Sequence, residues 1–575
     1  MAVAVARPRL VSRPSLDSGI LVPLGAALVL VYLVAFPVVM LLVGSVSEGG
    51  ELAQGLTLAN YVETYTSGRT YRLFLNSFLY SMGTALLALV LGTGLAWIVE
   101  RTNTPGRRAF FALSLVPLIV PGVISTISWI FLISGQIGIV NRALMAVFGL
   151  SEPPFDVFSL GGMIWAEGLH LSPLVFLIMA GAFKSMDPSL EESAMMSRAN
   201  AALTLRRVTL PILAPALAAA SLIMFVRSLE SFEVPRLVGV PARVPVFTSE
   251  IYASLHDYPP DFGHAGALAV GLLGISALGV WFYQRLVRHA ERYATVTGKA
   301  FRPRVVDLGR WRYLTLGLLV TYFLIIIGLP FAILLFASLI PFYVPNLEIL
   351  SRITFDNYRF ALEHPSVQLA VRNSLVLGAA AATITMALTA IIAWVTTKTS
   401  LPGRGLLDLL AFVPIAIPGL VLGVSMILQY LSPAFRVLPI YGTIWILVLA
   451  YVTKYLPYGM RTNGAAMVQI HRELEEAGSV AGASWWFMFR RITLPLLRPG
   501  LVAGWVYIFI VSVRELSASV LLVSNQSTVL AVVIFDLFES GKSNAVAALS
   551  VMLVTALIVI VAAVQRLTGR FGVRD

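Results

Sequence analysis

The chain has 575 residues, 58% of them hydrophobic and only 12% charged, with a mean hydropathy of +0.86. A soluble globular chain carries about 25% charged residues, whereas here the apolar residues gather in runs near the roughly 20 residues that cross a bilayer, so the composition describes a polytopic α-helical membrane protein and excludes a soluble domain. The net charge of +12 does not indicate nucleic acid, because excess Lys and Arg belong in the cytoplasmic loops of inner-membrane proteins, and the absence of Cys excludes disulfides and thiolate metal sites.

Arg7, Arg9 and Arg13 precede an apolar run from Ile20 to Val43. That run is too long for a signal-peptide core and lacks a clear cleavage site, so it predicts a retained first transmembrane helix. The hydropathy pattern predicts twelve spans in two sets of six. The first set is 20–44, 74–99, 109–133, 160–183, 212–235 and 265–286; the second is 313–339, 371–396, 406–430, 441–463, 499–523 and 545–566. Lys and Arg concentrate in alternate connectors, including Arg107, Arg108, Lys184, Arg206, Arg207, the Arg285–Arg312 cluster, Arg404, Arg490 and Arg491. This bias places both termini in the cytoplasm. The polar connector from His289 to Arg312 reads as the linker between the sets.

The two sets repeat each other. Asn60-Tyr61, Asn76-Ser77, Trp97, Pro105-Gly106-Arg107, Pro117, Pro121 and Gly122 recur 297 positions later as Asn357-Tyr358, Asn373-Ser374, Trp394, Pro402-Gly403-Arg404, Pro414, Pro418 and Gly419. Further on the offset falls to 284, so the second set lost 13 residues, in the external loop around Gln136 to Val157. Two parallel repeats predict a pseudo-twofold along the membrane normal, with the pathway between the halves. The paired prolines predict a kinked third helix in each half, suited to an intramembrane hinge.

A polar segment also occurs twice on the cytoplasmic side. Glu191 to Pro211 reads EESAMMSRANAALTLRRVTLP, and Glu475 to Pro495 reads EEAGSVAGASWWFMFRRITLP. Each suits a short interfacial helix, acidic at its start and basic at its end, stopped at Thr-Leu-Pro where the next helix begins. Two copies in matching loops favour a twofold docking surface over simple packing. Glu476-Ala477, Gly482 and Ile492-x-Leu494-Pro495 resemble the EAA loop of ABC-importer permeases of the type I fold. Nearly the whole chain resembles that family. The fused arrangement, with SFEVPRLVG from Ser231 and RELSASVLL from Arg514, is most similar to ferric-iron permeases, and fused thiamine and phosphonate permeases share much of the pattern.

The resemblance implies an all-α permease with a first transmembrane domain over 74–286 and a second over 371–566. Residues 1–73 would hold the tail, first helix and external loop; 287–370 the linker, seventh helix and external loop; 567–575 a cytoplasmic tail. It implies coupling loops formed by Glu191, Glu192, Ala194, Arg198, Leu210 and Pro211, and by Glu475, Glu476, Ala477, Gly482, Leu494 and Pro495. It implies two copies of a partner ATPase that bind ATP and Mg, an extracytoplasmic solute-binding protein, a prokaryotic inner membrane, and no catalytic residue, metal or cofactor on this chain. The first loop departs from the pattern: Arg198 stands where the second has Gly482. An Arg does not reach positive φ cheaply, so this loop is expected to dock differently or to bend by another route.

Glu167, His170, Arg227, Glu230, Lys454, Arg514 and Glu515 fall within or at the ends of spans. Charges at mid-bilayer are costly and face the bundle interior. They predict either a polar pathway, with Arg227, Glu230, Arg514 and Glu515 as lining or gate, or structural ion pairs such as Arg514 with Glu230. Arg227 and Arg514 read as comparable positions of the two fifth helices. Ser540-Gly541-Lys542-Ser543 ends like a phosphate loop, but Asp536 replaces its first glycine. His256, Asp257, Asp261 and His264 share an outside loop and read as a solvated surface rather than a metal site. A secondary transporter would need no docking loop, and a membrane enzyme would need a converging catalytic set; neither reading fits.

Overall fold

A computed structural model describes residues 18–48, 55–293, 305–343, 352–435 and 437–569. Arg7, Arg9 and Arg13 lie outside these, as does the middle of the linker. The described residues form helices joined by turns and irregular segments, with two isolated β-bridges and no strand among them.

Nine described helices are long and apolar enough to cross a membrane: Val22–Ser45, Gly68–Arg101, Leu160–Ser185, Leu205–Leu229, Phe262–Val287, Gly309–Ser338, Pro365–Lys398, Trp485–Val513 and Ser543–Ala563. The other three of the expected twelve differ for physical reasons. Ile444–Gln469 has the length but carries Lys454 and Arg461. The third span of each half is broken rather than kinked. In the second half Arg404–Ala416 and Gly419–Leu431 meet at 109°. In the first, Arg107–Leu113 and Gly122–Ile133 are separate helices. Pro121 and Pro418 are extended, with ψ of 141° and 144°, and each begins the inner helix; their missing N–H ends the ladder at the break.

The repeat holds in detail. The second helices of the halves both have 34 residues, and the fourth helices both have 26. The duplicated Asn-Tyr and Asn-Ser pairs have the same duties twice. Tyr61 and Tyr358 hydroxyls meet Ser45 and Ser338, each at 2.7 Å, at the end of the preceding helix. Ser77 and Ser374 accept the N–H of Phe247 and Leu530, at 3.1 and 2.8 Å, where the short helices Phe247–His256 and Leu530–Glu539 begin. The leading helix of each half packs on the opposite half. Tyr32 meets Tyr430 at 2.6 Å and Leu33 accepts from Thr453, while Tyr322 meets Ser172 at 2.7 Å.

The fifth spans correct the expected boundaries. Thr-Leu-Pro does not stop a helix: Leu205–Thr209 and Phe489–Thr493 are π-helical turns that run straight into the span. Proline supplies no N–H and crowds the carbonyl four residues back, and a wider turn absorbs both defects. Leu210, Pro211, Leu494 and Pro495 therefore belong to the membrane helices. At the other end, the helices finish at Leu229 and Val513, earlier than expected, and open into irregular segments.

Candidate functional site: a central charged cavity and two pinned polar loops

All seven ionisable residues singled out within the spans line one cavity of about 350 Å³. It lies between the halves, walled by both fourth helices, both fifth helices and the breaks in both third helices. Lys454 Nζ lies 2.6 Å from Glu515 Oε1, and Glu515 also accepts from Tyr455 at 3.2 Å and from the N–H of Ala518 at 3.1 Å. Gly419 makes room for this pair: a Cβ there would stand 2.6 Å from Lys454 Nζ. Arg227 donates across the halves to the Tyr458 hydroxyl, and Arg514 donates to the Leu118 carbonyl.

The expected Arg514–Glu230 pair is therefore absent; the ion pair is Lys454–Glu515 within one half. Glu230 Oε1 is buried without a hydrogen-bond partner. Arg227 and Arg514 are also not in register. At the 284 offset Arg514 corresponds to Glu230, and both cap the ends of fifth helices. His170 likewise corresponds to Lys454, and Ser231 to Glu515. The same positions of a twofold frame thus carry different chemistry. Glu233, Tyr455, Tyr458 and Tyr507 also line the cavity. Tyrosine is ordinary in membrane helices, so its sequence gave no warning; Glu233, beside the end of an apolar span, did.

At the membrane end away from the polar loops a cross-half contact joins Arg236 to Glu539 at 2.8 Å, with Phe232 and Phe535 rings 5.8 Å apart. Among the described residues no three metal-ligating side chains converge. His256 stacks on Tyr252, and His264 bonds Thr64 at 2.8 Å, so both imidazoles of this loop make structural contacts. The Gly541 turn is a helix cap with φ of 78°, and Lys542 lies over Phe360; it forms no phosphate loop.

Each polar repeat is a helix pinned by its first glutamate. In Pro188–Met196, Glu191 pairs with the buried Arg101 and accepts from Thr209 at 2.6 Å. In Arg472–Val480, Glu475 accepts from Trp394 and Thr493, both at 3.1 Å. Lys398 holds the place of Arg101 but caps the Ile470 carbonyl instead. The second glutamate of each pair, Glu192 and Glu476, is exposed. So are Met196 and Val480, 88% and 91% accessible at equivalent positions. Ala194 is half-buried and Ala477 exposed.

Both helices end in the same way. Arg198 has φ of 62° and Gly482 has φ of 78°. Ala199 N–H bonds the Ala194 carbonyl, and Ala483 N–H bonds that of Gly478, a Schellman arrangement in each case. The expected difference in bending is thus overturned: Arg198 takes the left-handed conformation itself, at a cost of about 1–2 kcal/mol. Arg198→Gly is expected to stabilise the protein by about 1 kcal/mol and leave transport intact. Gly482→Arg should lose a similar amount, since a Cβ there meets nothing within 4 Å. Thermal unfolding of the two variants, with uptake at matched expression, checks this; severe loss of uptake in Arg198→Gly would refute it.

Residues 388–572 match the family described as binding-protein-dependent transport system inner membrane component. The ferric transport system permease protein FbpB of Actinobacillus pleuropneumoniae is 27% identical over 94% of this chain and 76% of its own length. The Fe(3+)-transport system permease protein FbpB 2 of Haemophilus influenzae is 24% identical over 86% and 90%. The sulfate transport system permease protein CysT of Escherichia coli is 27% identical over 39% of this chain and 85% of its own. Among solved structures, a bacterial ABC transporter involved in import of the acidic polysaccharide alginate is 19% identical, covering 41% of this chain and 84% of that one, with a TM-score of 0.35. Residues 388–572 thus carry a binding-protein-dependent transport inner-membrane component, and the similarity to ferric transport permeases runs through both repeated halves of the chain.

Proposed function

We propose that this permease carries ferric iron inward, driven by two copies of a separate ATPase that hydrolyse ATP with Mg, and receives it from an extracytoplasmic solute-binding protein. The termini and both polar loops face the cytoplasm in this reading, and 74–286 and 371–566 are the two halves. The observation that carries it is the duplicated loop: one glutamate fixed inward, the next glutamate and an apolar side chain presented outward. Each loop thus offers a rigid charged and apolar knob to one ATPase. ATP-driven approach of the two ATPases would move both knobs together and turn the cavity outward, opening the Arg236–Glu539 contact.

Ferric iron is supported by the FbpB relatives and by the cavity's oxygen donors, since carboxylates suit hard cations. A second reading, an oxyanion or a phosphonate, is favoured by Arg227 and Arg514 in the same cavity; thiamine is the further organic alternative. Proteoliposomes holding the permease, its ATPase and its binding protein should accumulate labelled ferric iron on ATP addition. Saturating sulfate, phosphonate or thiamine should not compete. Uptake of one of these in place of iron would replace the substrate. Glu476→Lys should abolish uptake while the protein still inserts in the membrane, because it reverses the exposed charge of one knob. Normal uptake by that variant would remove the coupling role from this loop.

A further inference from the structure

We infer that the first half alone holds a binding pocket for a phosphate group, at the membrane end that carries the polar loops. A cavity of about 670 Å³ opens there, lined by Arg107, Arg108, Lys184, Glu100, Phe111 and Val305 among others. Three cations face one carboxylate. Glu100 engages Lys184 at 3.3 Å, and Lys184 also lies 4.8 Å over the Phe111 ring. Arg107 gives one N–H to the Thr102 carbonyl at 3.2 Å, which fixes its guanidinium and leaves the other donors for a ligand. Among the described residues Arg108 has no hydrogen-bond or ion-pair partner, so a full guanidinium fork is unused.

The twofold frame supplies the control. Arg107 recurs as Arg404, but Arg108, Phe111 and Lys184 become Gly405, Asp408 and Val468. A general excess of cations on one side of a membrane does not gather them around one cavity in one half only. The pocket has the chemistry of a phosphate site, with Arg forks for oxygen pairs and Lys as a point charge. It sits where two spans end, at headgroup depth, and the apolar wall of Val99, Phe111 and Val305 suits a glycerophosphate. The linker closes one side: Asn103 bonds Asp307 at 2.5 Å and the Leu308 N–H at 3.1 Å. Glu100 precedes Arg101, the partner of Glu191, so an occupant would stiffen the first polar loop and not the second.

The same phosphate chemistry is offered by an anionic lipid headgroup and by free phosphate, and the test separates them. The full chain in detergent is titrated with phosphatidylglycerol in mixed micelles, and separately with inorganic phosphate, while melting temperature and binding are followed. A saturable rise with phosphatidylglycerol alone assigns the headgroup; a rise with inorganic phosphate assigns the solute. In either case Arg108→Gln should weaken binding at least tenfold. Its side chain is exposed and unpartnered, so folding is unaffected. Arg404→Gln in the second half should leave binding unchanged. Binding of neither probe, binding that survives Arg108→Gln, or equal loss in Arg404→Gln would overturn the assignment.

Discussion

Glu191→Ala is expected to be among the most damaging single changes outside the cavity. Arg101 is only 1% exposed, and Glu191 is the carboxylate that pairs with it. Removing one partner of a buried pair leaves an uncompensated charge, at about 3–5 kcal/mol. The hydrogen bond from Thr209 is lost as well. The helix Pro188–Met196 would come loose from the spans above it, and ATP-dependent uptake should collapse with stability. Glu475→Ala, at the equivalent place, strands no cation. It removes bonds from Trp394 and Thr493 at about 1.5–3 kcal/mol. Thermal unfolding should rank the two variants in that order. Replacing Arg101 and Glu191 together by Met should recover most of the stability, because an apolar pair of similar volume needs no partner charge. Equal losses in the two Ala variants, or no recovery in the double, would show that the buried cation is not the source.

Glu515→Gln should be the most damaging change within the cavity. It takes from Lys454, 18% exposed, its one directly bonded carboxylate inside the membrane, where an isolated charge costs roughly 2.5–3.5 kcal/mol. By that figure uptake should fall by about a hundredfold if the altered state is the transporting one. The informative partner is Lys454→Met with Glu515→Gln. It removes both charges and keeps an oxygen for Tyr455 and for the Ala518 N–H. Folding stability should return to near that of the parent, while uptake stays low. Uptake that returned together with stability would make Lys454–Glu515 a strut between helices and remove it from the pathway.

The sequence by itself determined the membrane class, the two parallel halves and the two polar loops. These are legible because each is written locally: apolar runs of bilayer length, and motifs copied at fixed spacing. Glu167, His170, Arg227, Glu230, Lys454, Arg514 and Glu515 were legible as interior residues for the same reason, since a charge within an apolar run has to face away from lipid. Only the tertiary structure decided their partners. Arg514 finds a carbonyl 396 positions away, and Arg236 meets Glu539 over 303. No local pattern encodes such a meeting, because it depends on how the two repeats face each other. Backbone detail was hidden for a related reason. Propensity argued against positive φ at Arg198 and for a stop at Thr-Leu-Pro, but packing overrode both. The pin from Glu191 to Arg101 and Thr209 fixes where the loop must turn, so Arg198 adopts the glycine-like bend. Continuity into the fifth span outweighs the proline defect, so the helix widens to a π turn instead of ending.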